Sequence, residues 1–124
     1  MRSVVSEIKG EAFRILPTIE RQRLRIRLEG SADMAAVTSL KTCLAETKIT
    51  MKEHGLSELE LDLTALYLLN SSCIKALVHF LYVLQSEPPA FPVIFVVSPH
   101  LTWQPRALAP LERMAPTIVS VRHA

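Results

Sequence analysis

Glycine is scarce in this chain: there are three, Gly10, Gly30 and Gly55, set far apart. No glycine-rich phosphate loop or dinucleotide fingerprint can be assembled from residues so spaced. A surplus of one charge sign is missing too, since 14 Lys and Arg face 12 Asp and Glu for a net charge of +2. That balance argues against bulk attraction to nucleic acid or to an anionic membrane. Of cysteines there are two, Cys43 and Cys73, both in predicted helices. They fit buried free thiols in a reducing compartment better than a disulfide framework. None of the four histidines, His54, His79, His100 and His123, has a second His or Cys at close ligand spacing, so no structural zinc site is expected. Ser71 and Ser72 are not set in a Gly-x-Ser-x-Gly elbow, and Asn70 cannot act as a general base. A serine hydrolase would have to draw its partners from distant residues.

An unbroken apolar run of membrane length is absent as well. Residues 66–84 are long enough, but Asn70, Ser71, Ser72, Lys75 and His79 interrupt them. Lys75 alone would cost roughly 3 kcal/mol at the bilayer centre. The opening MRSVVSEIKGEAF carries charges where a signal peptide needs an apolar core, so a cytoplasmic protein with no membrane contact is expected.

What is present is a core. The chain has 124 residues, 49% of them hydrophobic, enough for one domain without staples. A single domain over 1–124 is expected, with residues 1–11 as a loose arm or an edge strand. Residues 59–84, LELDLTALYLLNSSCIKALVHFLYVL, carry the clearest pattern. Leu59, Leu61 and Leu63 alternate with Glu60 and Asp62, the period of a half-buried strand. After Asn70-Ser71-Ser72 the apolar residues Ile74, Leu77, Val78, Leu81 and Leu84 recur at helical spacing. Asn70 or Ser71 supplies the short oxygen-bearing side chain of an N-cap. Two serines thus stand at a helix N-terminus, where unpaired N–H groups and the helix dipole favour an anion such as phosphate. Lys75, His79 and Tyr82 form one stripe opposite the core leucines. That stripe is either an ordinary wet face or a contact surface continuous with Ser71 and Ser72.

Elsewhere, residues 12–16 and 24–28 read as strands joined by a turn through 17–22. Arg21, Arg23, Arg25 and Arg27 line one side of the second if it begins early. With no aromatic residues interleaved, this arginine row is expected to pair with Glu60 and Asp62 on a neighbouring strand and not to bind nucleic acid. Ser31 or Asp33 can cap a helix over about 34–52. Glu87-Pro88-Pro89 forces a turn, 91–97 is an apolar strand buried on both sides, and 103–114 is helical but short or kinked at Pro110. A last strand covers 117–121. The order β-β-α-β-α-β-α-β implies an α/β fold, a mixed and mostly parallel sheet of about five strands. Charges on alternate residues of two strands place the helices mainly on one face.

The segments LELDLTALYLLNSSCIKALVHFL, LRIRLEGSAD upstream and VIFVVSP downstream, in this order and spacing, resemble the STAS domain family. The resemblance is in particular to the bacterial anti-sigma factor antagonists, in which an apolar strand leads to an Asp-Ser-Ser-Gly-type motif opening a helix. It covers most of residues 24–99. It implies a STAS-like fold and a non-catalytic partner-switching regulator controlled by serine phosphorylation, with no cofactor. Ser71 falls on the phosphoacceptor position, Ser72 beside it, Asp62 on the central-strand polar position and Asp33 on the acidic residue of the turn after the second strand. Two residues depart from the pattern: Asn70 stands where the family has Asp, and Cys73 where it has Gly. Asn-Ser-Ser-x-x-Lys is also similar to a neighbouring group of single-domain phosphoproteins with an Asn-Thr-Ser-Ser-type motif, which act on a diguanylate cyclase; Lys75 matches their lysine. The implied partners are a serine kinase or anti-sigma-like protein and a serine phosphatase, contacted through Asp33, Asn70, Ser72, Lys75 and His79. A constitutive scaffold subunit and a small hydrolase or ligand carrier are the alternatives, and a homodimer is compatible with the switching role.

Overall fold

The computed structural model describes residues 4–124 apart from Pro89. The first three residues of the expected arm and Pro89 of the expected Pro-Pro turn lie outside the described residues. Along the chain run β1 (Ile8–Lys9), β2 (Phe13–Glu20), β3 (Arg23–Ala32), a 3-10 turn (Met34–Ala36), α1 (Val37–Glu53), β4 (Glu58–Leu69), α2 (Ser71–Ser86), β5 (Val93–Val97), α3 (Trp103–Met114) and β6 (Val119–His123). The sheet has six strands in the order of the sequence, one more than the roughly five expected, because Ile8–Lys9 pairs antiparallel to β2 at the edge. β2 and β3 are antiparallel, and β3 through β6 are parallel. Because successive parallel strands step in one direction, right-handed crossovers put α1, α2 and α3 on the same face.

The parity of the two central strands follows the alternation in the sequence. Leu24 pairs with Leu59 and Ile26 with Leu61, while Arg25 pairs with Glu60 and Arg27 with Asp62. The leucines and Ile26 are buried under the helices together with Leu77, Leu81, Phe95 and Leu108. On the uncovered face the acids lie beneath the arginines. Glu60 binds Arg23, Arg25 and Arg122 at 3.1, 2.9 and 2.6 Å. Asp62 binds Arg25 and Arg27 at 3.1 and 3.3 Å. The arginine row is therefore a lid of ion pairs, as cross-strand pairing predicts. Arg21 is the exception: it sits in a two-residue turn with a φ of 57° and is not on the strand.

That turn is shorter than expected. Strand pairing continues to Glu20 opposite Arg23, with Pro17 inside β2 opposite Ile26. β1 pairs only with Arg14 and Ile15, so beyond them the outer side of β2 has no ladder for the missing proline N–H to interrupt. At the other end of β3, Gly30 has a φ of 92° and a Cβ there would stand 2.1 Å from the Ala12 carbonyl oxygen. Only glycine fits.

Helix α3 covers the expected residues, Trp103–Met114, with Pro110 inside it. Pro110 and Arg106, whose carbonyl loses its donor, are both exposed, so water can replace the lost bond. The same helix holds a residue that the apolar pattern does not announce. Gln104 is fully buried; it donates to the carbonyls of Leu63 and Leu66 at 2.6 and 3.1 Å and accepts from the Ser98 N–H at 2.9 Å. β4 pairs with β5 only from Leu59 to Asp62. Beyond that point Gln104 takes the place of the missing strand partner for the end of β4.

The Asp62 carboxyl makes the fold sensitive to acid. Burial alone would raise its pKa, but the Thr64 hydroxyl and N–H and the facing Arg25 and Arg27 outweigh burial and hold it below the ordinary carboxylate value. A lowered folded pKa contributes stability that is fully present above the unfolded value, about 3.9, and is lost as pH falls through the folded one. The expected result is a urea midpoint that declines below about pH 4, with a shallower decline for Asp62→Asn. Equal acid limbs for the two proteins would show that Asp62 does not carry the effect.

Candidate functional site

The C-terminal ends of β3 and β4 lead into two helix starts that lie side by side. After β3, Asp33 caps the 3-10 turn, its carboxylate accepting from the Ala35 N–H at 2.9 Å; of the two candidates, Ser31 and Asp33, it is Asp33 that caps. After β4, Asn70 caps α2, with Oδ1 accepting from the Cys73 N–H at 2.8 Å. The Asn70 N–H donates to the Ala32 carbonyl at 2.9 Å, which ties the two helix starts together. Cys73 adds a second tie, its buried Sγ lying 3.7 Å from the Asp33 carbonyl oxygen. A thiol therefore fills the space at the position where the resemblance leads one to expect glycine. Burial raises the pKa of Cys73, and it raises that of Cys43 to about 12, so both thiols remain protonated and unreactive at neutral pH.

With the cap made by Asn70, Ser71 is the first helical residue and is exposed; Ser72 is half-buried. Among the described residues neither hydroxyl makes a hydrogen bond. Among the described residues the N–H groups of Ser71 and Ser72 are likewise left for an outside acceptor. Phosphate added at Ser71 would sit beside these donors and the positive end of the dipole of a 16-residue helix.

Lys75 and His79 follow one and two turns along α2 and are exposed. With Ser72 they line one wall of a groove of about 850 Å³ between α1 and α2. Tyr82, 62% exposed, continues the stripe. Asp33, Asn70, Ser71 and Ser72 thus gather at one end of α2, and Lys75 and His79 extend them along its outer face. Asp62 is elsewhere, in the ion-pair layer on the uncovered side of the sheet. The other wall is supplied by Met34, Val37, Lys41 and Lys48, none of them among the residues expected at the site. Lys41 and Lys48 are seven residues apart and so share a helix face, a spacing visible in the sequence.

No protein-family model matches the chain, and no curated protein matches it. Among solved structures, the crystal structure of an anti-sigma factor antagonist from Mycobacterium paratuberculosis superposes with a TM-score of 0.66 at 17% identity, covering 92% of this chain and 88% of that one. At that identity the likeness speaks for architecture: the chain has the STAS-like fold of an anti-sigma factor antagonist. Among the described residues, no helix is long and apolar enough to cross a membrane.

Proposed function

We propose that this chain is a non-catalytic regulator of the anti-sigma factor antagonist type, which binds a kinase-like protein partner through the start of α2 and is switched by phosphorylation of Ser71. The observation that carries the reading is the exposed, unbonded Ser71 hydroxyl, set directly after a helix cap that does not need it. The fold shared with an anti-sigma factor antagonist supports the same reading. Neither serine has a base within hydrogen-bond reach among the described residues, which favours an acceptor of phosphate over a nucleophile.

Phosphate adds a charge of about −1.5 to −2 and three strong acceptors. At the helix N-terminus the fold tolerates this charge. In a contact patch shaped for a neutral hydroxyl it repels the partner or is left poorly solvated. A serine phosphatase would restore the binding form.

Because Asn70 caps the helix, Ser71→Ala should lower stability by no more than a few tenths of a kcal/mol, whereas Asn70→Ala should cost about 1 kcal/mol. The partner recovered by pull-down from native cells should bind Ser71→Ala as it binds the unmodified protein. It should bind Ser71→Asp about tenfold more weakly or worse. Equal affinities for the two variants would remove Ser71 from the mechanism.

A further inference from the structure

We infer that the groove between α1 and α2 receives an acidic amphipathic helix of a protein partner. The inference rests on the reading of the α2 face as a partner surface and names what that partner brings to it. The floor and walls are apolar, built from Val37, Leu44, Ala76, Phe80 and Val83, with the 67% exposed Met34 at the end nearest Ser72. Lys41 and Lys48 stand along one rim, Lys75 and His79 along the other, and no acidic side chain is among the described residues that line the groove. Lys48 is engaged by Glu87 at 3.3 Å. Lys41 and Lys75 have no acidic partner among the described residues.

The placement of these charges selects the occupant. A single-headed amphiphile would want its cations clustered at one end. Here Lys75 lies near the Ser72 end, His79 a turn further on, and Lys41 and Lys48 are about 10 Å apart along α1. From Ser72 to Val83 the groove runs roughly 16 Å, the length of about three helical turns. A helix laid along it can place apolar residues at i, i+3, i+4 and i+7 on Leu44, Ala76 and Phe80 and direct glutamates from both flanks to the lysines. Electrostatic complementarity of this kind sets partner choice and orientation. It also explains how Ser71 reports on the groove: phosphate there brings negative charge to the mouth of a site built for acids.

The test is fluorescence anisotropy of the full chain with a labelled 15-residue peptide, helical, with a leucine ridge at i, i+3, i+4, i+7 and i+11 and glutamates beside it. The comparison peptides carry glutamine for every glutamate, or the same composition scrambled. The acidic amphipathic peptide should bind at least about tenfold more tightly than either, and more weakly as salt rises. Lys41→Glu should weaken binding about tenfold, while Arg113→Glu on α3 should leave it unchanged; both residues are exposed, and matching thermal melts confirm that the variants fold. Binding that ignores Lys41→Glu overturns the inference, as does equal binding of the glutamine peptide. So does failure of the acidic peptide to bind, whether the chain stays monomeric, forms a dimer that covers the groove, or takes up dodecanoate there instead. All these arms use unphosphorylated protein, so they can fail while Ser71 still proves to be the phosphoacceptor, and the reverse.

Discussion

Leu81→Ala is expected to lower the stability of the fold by about 2–5 kcal/mol. Leu81 is fully buried at the middle of α2, in one cluster with Leu77, Leu61 and Phe95. Its removal leaves a cavity between helix and sheet that neighbours fixed on two parallel strands cannot close. By contrast, Lys75→Ala and His79→Ala, one and two turns from the helix start on the exposed side, should stay within about 0.5 kcal/mol of the parent. Urea denaturation of the three variants checks the phase of the helix. If Leu81→Ala were as stable as the parent, the wrong face of α2 would have been assigned to the core.

A comparable loss is expected for Glu60→Ala, about 3 kcal/mol. Glu60 is 1% exposed and meets Arg23, Arg25 and Arg122, whose side chains are 35%, 41% and 52% exposed. Deleting the carboxylate leaves three guanidinium groups crowded on one sheet face with less to offset their repulsion. Their partial exposure lets them turn toward water, which keeps the effect at the low end for a buried ion pair. Removing Arg122 together with Glu60 separates the pair from the rest: the double-mutant cycle should show a coupling of about 0.5–3 kcal/mol. A coupling near zero would mean that Arg122, on the last strand, is a bystander to the layer.

Much of the fold could be read before any coordinates because the physical signals there are local. The alternation of Leu59, Leu61 and Leu63 with Glu60 and Asp62 determines which side of β4 is covered. The same period in Arg23 to Leu28 aligns β3 with it. The change of period at Asn70 marks the entry to α2 and brings Ser71 to its first turn. What escaped the reading depends on contacts distant in sequence. β2 tolerates Pro17 only because little pairs with its outer side. Gln104 looks like any polar residue in the first turn of a helix until the end of β4 is seen to lack a neighbour. At the candidate site the α2 residues were legible from spacing and resemblance. Met34 and Lys41 joined them only when the crossovers placed α1 beside α2.

The measurement that bears most directly on the role of Ser71 is phosphosite mapping by mass spectrometry on the protein isolated from its native cells, with and without phosphatase treatment. One phosphatase-sensitive phosphate is expected on Ser71, with affinity for the unmodified-state partner lost when it is present. A phosphate mapped to another residue, or a Ser71 phosphate that leaves partner affinity unchanged, would contradict that role.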